Sequence, residues 1–229
     1  VSLVFAYFVN IRVMKASNFH FRGFTYMARG DVEASIKSFR SALNIWNPYG
    51  WNFVRDYAAV MAETYFYNPG SISPSAVFHA IREMELVREE HPRDAYNHYF
   101  LVDLYNQTSD IDKDAFLEKA EREAEIALEL SPNRQQVLFS LAKTKTLKGD
   151  YKAAVELAKT ALALDDQVAD SHFYYGLLSF VQGDQGTGYI ELKKAMAMGR
   201  KFRSFYEPQT IANFFADYGK VGEAVKLYK

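Results

Sequence analysis

The stretch Leu147-Lys148-Gly149-Asp150-Tyr151 contains a glycine turn that returns along the chain at a nearly constant distance. Related turns occur at Ala28-Arg29-Gly30-Asp31, Val181-Gln182-Gly183-Asp184 and Asp217-Tyr218-Gly219-Lys220. The interval from Gly149 to Gly183 is nearly the same as that from Gly183 to Gly219. Such a period, roughly 34 residues, is typical of two-helix repeats, which bury their apolar faces only by stacking on further copies. We therefore predict an array of stacked helix pairs, an architecture that favours binding over catalysis.

The composition narrows the range of functions. The chain has 229 residues, of which 49% are hydrophobic and 16% aromatic, so it has enough apolar side chains for a continuous core. Basic and acidic residues balance at 27 against 28, which argues against a broad nucleic-acid interface. The absence of cysteine excludes disulfides and thiolate metal sites. We expect no nucleic-acid partner.

The clearest repeat runs from Gln135 to Val168, with apolar residues at helical spacing on both sides of its glycine turn. Small side chains stand where two helices must approach closely, at Ala142, Ala154 and Ala161. Asp150 directly precedes the second helix, where a carboxylate accepts hydrogen bonds from the first free amides. This unit is therefore predicted to be one antiparallel helix pair.

These small positions and the Gly-Asp-Tyr turn resemble the tetratricopeptide repeat (TPR). The resemblance implies an all-α fold, a TPR-type right-handed superhelical solenoid of about six antiparallel helix pairs. The predicted repeats lie near residues 16–50, 51–94, 95–134, 135–168, 169–204 and 205–229. The second and third repeats exceed the family period. Gly188 replaces the usual alanine, a substitution that costs about 0.5–1 kcal/mol within a helix.

Residues 1–15 form an apolar segment that precedes the first repeat. The run from Val1 to Ile11 is too short to span a bilayer, which takes about 20 apolar residues. It is either a cap on the first repeat or the end of a transmembrane helix. Four basic residues precede the first acidic one, which under the positive-inside rule favours a membrane-associated chain with a cytoplasmic solenoid. The segment up to Arg22 contains no glycine or proline, so we expect one continuous helix.

The N-terminal part of the chain, through Asp56, also resembles the region that follows the last membrane span of bacterial O-antigen ligase- or polymerase-like proteins. The motifs that carry this resemblance are Asn10-Ile11-Arg12, Ala42-Leu43, Pro48-Tyr49-Gly50 and Val54-Arg55-Asp56. It implies that the chain is the soluble tail of a membrane-anchored cell-envelope protein. The catalytic basic residues of that family lie upstream of this region, so the resemblance transfers no enzymatic role.

The sequence contains no arrangement typical of catalysis. Its five histidines form no HExxH motif and no i, i+4 pair. Gly183 falls on the repeat period, which predicts that the glycine-rich segment from Gly183 to Gly188 is an inter-helix turn rather than a phosphate loop. Acidic residues around Glu118 and Arg122 alternate with basic ones, as on a solvated helix face. We predict a chain that is not an enzyme and has no catalytic residue, metal or cofactor.

The TPR resemblance also assigns a binding groove, because the first helix of each repeat lines the inner wall at its second, fifth, ninth and twelfth positions. The predicted groove residues are Asn52, Arg55, Tyr96, Tyr99, Asn106, Phe139, Lys143, Phe173, Phe180 and Tyr206. They are aromatic and amide-rich, which suits a protein or peptide partner. The same rings could stack on sugars, and individual aromatics could instead pack between helices. The basic residues with which some relatives clamp a terminal carboxylate are missing.

These observations predict a non-catalytic scaffold that presents its groove to a protein or peptide. Two alternatives stay open: a glycan-binding module, and a subunit that self-associates head to tail into a filament, because a heterologous contact that does not close propagates. A freestanding adaptor is the simplest version of the scaffold hypothesis.

Overall fold

The computed structural model describes the backbone of residues 2–202 and 206–227, and the side chains in these ranges except those of residues 2–7, 9 and 206. Within the described part, the structure contains twelve α-helices and one short 3-10 helix, and no strand. The predicted all-α class is confirmed. The chain divides into two compact units, Val1–Lys119 and Ala120–Lys229.

The first unit contains two complete helix pairs and the start of a third. Its helices are α1 (Ser2–Ala28), α2 (Val32–Leu43), α3 (Gly50–Tyr67), the 3-10 helix Pro69–Ser71, α4 (Pro74–Glu90), α5 (Ala95–Gln107) and α6, which begins at Lys113 and ends at Leu130. Helix α1 packs on α2, α3 packs on α4, and both α3 and α4 contact α5. The connection between α3 and α4, within the repeat that exceeds the family period, holds the 3-10 helix.

The second unit follows the repeat more regularly. After the last turns of α6 come α7 (Gln135–Leu147), α8 (Tyr151–Leu164), α9 (Ala169–Gln182), α10 (Gln185–Ala197), α11 (Tyr206–Asp217) and α12 (Val221–Leu227). Each helix from α7 to α10 packs on the next, and α11 packs on α10 and α12.

The recurring Gly-Asp pair ends one helix and begins the next. The glycine adopts a positive φ, which side-chain-bearing residues rarely adopt; φ is 84° at Gly149 and 101° at Gly183. The following aspartate then caps the next helix. Asp150 Oδ1 accepts a hydrogen bond of 3.1 Å from the amide of Ala153, which confirms the predicted cap. The segment after Gly183 is an inter-helix turn, as predicted.

Two glycines allow α9 and α10 to approach closely. A Cβ atom on Gly188 would lie 2.3 Å from Cδ2 of Phe180, and one on Gly176 would lie 2.8 Å from the backbone nitrogen of Leu192. From the sequence alone, Gly188 is expected only to lower the stability of its helix. The structure shows what offsets that cost, because the phenyl ring of Phe180 fills the space that an alanine would need.

Helix α1 is continuous through the segment without glycine or proline, as predicted up to Arg22, and it extends past Gly23 to Ala28. Ala16 is completely buried, whereas Phe8, Met14 and Phe21 are exposed. In the part of the chain that the structure describes, no helix has both the length and the hydropathy that crossing a bilayer requires.

Candidate functional site

Arg55 on α3 lies between two aromatic rings. Its guanidinium carbon is 4.4 Å from the centroid of Trp51 and 4.6 Å from that of Tyr96. Trp51 precedes Arg55 by one helical turn, so the two side chains share a face of α3. Tyr96 is the second residue of α5, so the cation–π stack links the first helices of the second and third predicted repeats.

Hydrogen bonds hold Arg55 in this position. Its Nη2 donates to Asp94 Oδ2 at 2.8 Å, and its Nε donates to Asn97 Oδ1 at 3.2 Å. Asn97 is completely buried, and Asp94 also caps α5 by accepting the amide of Tyr96 at 3.0 Å. The Arg55 side chain is therefore only 13% exposed, while the carboxylate that pairs with it is 44% exposed.

The stack continues into a small aromatic surface on α5. The ring centroids of Tyr96 and Tyr99 are 5.8 Å apart, and those of Tyr96 and Phe100 are 6.1 Å apart. Trp51 and Tyr96 are each 37% exposed. We call the set Trp51, Arg55, Tyr96, Tyr99 and Phe100 the aromatic surface. It presents ring faces and edges to solvent around a fixed cation.

Helix α1 adds a second aromatic cluster against α3. The imidazole of His20 stacks on Phe53 with centroids 4.2 Å apart and meets the edge of Phe24 at 5.1 Å. Asp56 Oδ2 lies 3.1 Å from His20 Nε2, an ion-pair distance when the ring is protonated, although the geometry is not that of a hydrogen bond. This cluster is largely a packing contact between helices.

The other predicted groove residues of the first unit are more enclosed. Asn52 on α3 is half-buried, and Asn106 near the end of α5 is buried. The backbone carbonyl of Asn106 accepts the hydroxyl of Ser109. Arg55, Tyr96 and Tyr99 are thus the predicted residues that the structure brings together in this unit.

The predicted groove residues of the second unit contribute to packing. Phe139 is buried and stacks on Tyr174, with centroids 4.5 Å apart. Phe180 is buried and lies parallel to Phe214 at 4.9 Å. Lys143 is half-buried. The Tyr206 side chain lies outside the described part. The assignment of these residues to a binding groove stays a prediction.

Phe173, also a predicted groove residue, is buried beneath Arg200. Arg200 Nε donates to Asp170 Oδ1 at 3.0 Å, and its two terminal nitrogens donate to the two carboxylate oxygens of Glu207 at 2.9 and 3.1 Å. Burial lowers the pKa of Arg200, but the hydrogen bonds and charges of Glu207 and Asp170 outweigh it and raise the pKa. The side chain links the starts of α9 and α11.

Buried histidines have structural partners. His172 Nδ1 lies 2.5 Å from Glu191 Oε2, and its Nε2 lies 2.8 Å from the carbonyl oxygen of Asp166. His98 Nε2 lies 2.9 Å from the carbonyl oxygen of Pro92. Within residues 2–202 and 206–227, no three His, Cys, Asp or Glu side chains form a group that could hold a metal ion.

Three residues that contact Arg55 directly were not identified from the sequence: Trp51, Asp94 and Asn97. The spacing of Trp51 and Arg55 was a usable signal, because an aromatic residue four positions before an arginine shares its helix face. Asp94 and Asn97 carried no comparable signal, because only the fold brings the start of α5 to α3.

No protein-family model and no curated protein matches this chain. Solved structures do match it. A thermophilic TPR protein from Thermus thermophilus is similar with a TM-score of 0.60 and 18% identity, covering 91% of this chain and 99% of that one. PilF of Pseudomonas aeruginosa matches with a TM-score of 0.59 and 16% identity, covering 94% of this chain and 90% of its own.

A TPR protein from Parabacteroides merdae matches with a TM-score of 0.60 and 12% identity, covering 93% of this chain and 77% of its own. Such likenesses show the fold alone. The chain therefore has a TPR-type fold of paired helices, which confirms the prediction from its repeats. These comparisons leave the narrower resemblance to O-antigen ligase-like tails untested.

Proposed function

We propose that this chain is a non-catalytic scaffold that binds a segment of a partner protein on its aromatic surface. The observation that carries the proposal is the fixed stack of Trp51, Arg55 and Tyr96. Tryptophan, tyrosine and arginine are the residues that most often dominate the energetics of protein interfaces. Here they are already held in one arrangement, so binding a partner would cost little entropy to order them.

The electrostatics indicate what the surface would recognise. Asp94 and Asn97 already accept hydrogen bonds from Nη2 and Nε of Arg55, and Asp94 balances its charge. The groups left for a partner are the exposed ring areas of Trp51 and Tyr96, with the nearby amide of Asn52 on α3. We therefore expect apolar or aromatic side chains in the bound segment, aligned by hydrogen bonds at its edges, rather than a terminal carboxylate.

A selection of phage-displayed peptides on the immobilised full chain tests this function. We expect enriched peptides whose Kd, measured by calorimetry, rises at least tenfold with Tyr96→Ala, or about 1.4 kcal/mol. Tyr151→Ala is the matched control, because Tyr151 is also an exposed tyrosine in the first turn of a helix. Peptides that bind wild type, Tyr96→Ala and Tyr151→Ala equally, or a failure to enrich any, would exclude the aromatic surface as the binding site.

The narrower predictions from the sequence are proposals of their own. The resemblance of the N-terminal part, through Asp56, supports a tail attached to a membrane-anchored O-antigen ligase- or polymerase-like protein, and membrane spans encoded upstream in the gene would test it.

Exposed rings on α3 and α5 would support glycan stacking, which titration with oligosaccharides tests. Sedimentation at increasing concentration tests head-to-tail association.

A further inference from the structure

The first unit contains a cavity of about 360 Å³ that adjoins the aromatic surface and shares Trp51 with it. It lies between the end of α2, the start of α3 and the last turns of α4. Both tryptophans of the chain, Trp46 and Trp51, line it. The floor includes aliphatic side chains such as Leu43, Val54 and Val87.

One face of α4 supplies the charge of this cavity. Glu83, Leu86, Val87 and Glu90 all line it, and their spacing places them on a single side of the helix. Glu83 lies 3.7 Å from His79, and Glu90 has no ion-pair partner among the described residues. Two carboxylates therefore face one small space.

The backbone strengthens this negative character. The last residues of α2 and α4 both line the cavity, and the carbonyl groups at the C-terminus of a helix carry partial negative charge. The start of α3 opposes this effect with one helix N-terminus. His91 is the only basic side chain among the lining residues. The balance favours a cation.

The two indoles add an aromatic component, of which Trp51 is already positioned. Trp46 is 63% exposed, although its loop is held by Asn47, whose side chain is buried. The Asn47 amide nitrogen donates to the carbonyl oxygen of Ile45, and its oxygen accepts the amide of Tyr49, both at 3.0 Å. Trp51 is fixed by its stack on Arg55. An exposed indole on a rigid loop beside two carboxylates suits a guanidinium group, which stacks on rings and pairs with carboxylates.

We propose that this cavity is a second binding site, which receives an arginine side chain from a partner protein. The guanidinium lies against the indoles, and Glu83 and Glu90 pair with it. The aliphatic stem of the arginine contacts Leu86 and Val87. The site shares Trp51 with the aromatic surface and differs from it in the carboxylates of α4, Glu83 and Glu90, which line only the cavity.

Intrinsic tryptophan fluorescence of the full chain tests the proposal directly, because both tryptophans line the cavity. The probes are acetyl-Gly-Arg-Gly-amide and acetyl-Gly-citrulline-Gly-amide, which differ in charge and little in shape. We expect a saturable fluorescence change with the arginine peptide in the millimolar range, and at least tenfold weaker binding of the citrulline peptide. This comparison requires no variant protein.

Charge variants locate the site. Glu90→Gln and Glu83→Gln should each raise the Kd of the arginine peptide about three- to tenfold, since each removes one cation partner. Glu89→Gln is the control, because Glu89 is adjacent, exposed and paired with Arg82 instead. Circular dichroism checks that each variant keeps its helix content.

Three results would overturn the proposal: equal binding of the two peptides, no saturable change into the tens of millimolar, or unchanged binding in the double variant of Glu83 and Glu90. Binding of free spermidine without binding of the arginine peptide would also overturn it, because the site would then take a small cation. Phage-selected peptides that bind the aromatic surface test the proposed scaffold function separately.

Discussion

Arg55 in the first unit and Arg200 in the second make the same kinds of contact, a cation–π stack and ion pairs, but they differ in how exposed these contacts are. Each arginine lies against an aromatic ring and pairs with a carboxylate near the start of a later helix, Asp94 for Arg55 and Glu207 for Arg200. The Arg200 side chain is 4% exposed and the Phe173 ring beneath it is 2% exposed. Around Arg55, the rings of Trp51 and Tyr96 stay 37% exposed. An arginine–aromatic contact is therefore part of the core in one unit and part of the surface in the other.

The type of aromatic residue contributes to the difference at these two arginines. Phe173 has no polar group, so it is most stable when completely removed from water. Trp51 and Tyr96 carry an N–H and an O–H that keep one edge of each ring compatible with solvent. The same distinction separates Phe139 and Phe180, which are buried, from Tyr96 and Tyr99. Phe139, Phe173 and Phe180 of the second unit therefore join helices, whereas Trp51 and Tyr96 of the first unit stay partly exposed.

Removing the two arginines should give the largest contrast. Arg200→Met removes the guanidinium that pairs with Asp170 and Glu207, whose side chains are only 24% and 23% exposed. We expect it to lower the free energy of unfolding by about 3 kcal/mol. Arg55→Met should cost about 1 kcal/mol, because Asp94 is exposed enough to be hydrated. Urea unfolding followed by circular dichroism measures both.

A local measurement assigns each effect to its unit. Tryptophan fluorescence reports on the first unit alone, since Trp46 and Trp51 both lie there. Hydrogen exchange should show Arg200→Met increasing exchange in α9 and α11. Equal losses of stability for Arg55→Met and Arg200→Met would contradict the contrast, because the first site would then be as structural as the second.

A glycine substitution tests how tightly the aromatics of the second unit are packed. Gly→Ala in a helix normally stabilises by about 1 kcal/mol. At Gly188 the new Cβ would lie 2.3 Å from Phe180, whose ring is held against Phe214. We therefore expect Gly188→Ala to destabilise by about 2 kcal/mol, measured as a lower thermal midpoint.

Gly222→Ala provides the matched control. Gly222 also lies within a helix, and a Cβ built there meets no heavy atom within 4 Å. This variant should raise the thermal midpoint slightly. If Gly188→Ala behaved in the same way, the ring of Phe180 would have to be free to move, and the second unit would be less rigid than its buried phenylalanines indicate.

Much of the fold follows from local sequence signals. The Gly-Asp turn specifies where a helix ends and where the next is capped, so the helix pairs and the TPR-type fold were predictable from residues such as Gly149 and Asp150. The repeat positions also assigned Arg55 and Tyr96 to the same predicted wall. The helix pairs and the wall positions both depend on interactions within one repeat or between two adjacent repeats.

The remaining features depend on contacts that no repeat position encodes. Phe180 and Phe139 occupy groove positions in the sequence, yet Phe214 and Tyr174 from later helices lie across them. The cavity lined by Trp46 and Trp51 is formed by the loop after α2 together with the last turns of α4. The repeat pattern describes helix faces, and it gives no information about such loops.

The two units can also be compared by how their stability depends on pH, through one glutamate in each: Glu85 in the first and Glu121 in the second. Burial raises the pKa of Glu85, but hydrogen bonds from Tyr105 at 2.7 Å and Lys119 at 3.0 Å outweigh it, so the pKa is lowered. For Glu121, hydrogen bonds from Lys145 and Lys148 exceed the effect of burial and also lower the pKa. A carboxylate whose pKa is lower in the folded state stabilises the fold when ionised.

The smallest predicted effect is therefore a loss of stability in acid. The contribution of each carboxylate is complete above its ordinary pKa of about 4.3 and disappears as the pH falls through the lower pKa of the folded state. At pH 7 we expect Glu85→Gln to cost about 1 kcal/mol and Glu121→Gln about 0.5, because Glu85 is less exposed. Urea unfolding at neutral and acidic pH measures the difference, with exposed Glu125→Gln as the control. A cost that persisted below the folded pKa would mean that the glutamates act through packing, and the two units would then not differ in the strength of their charge pairs.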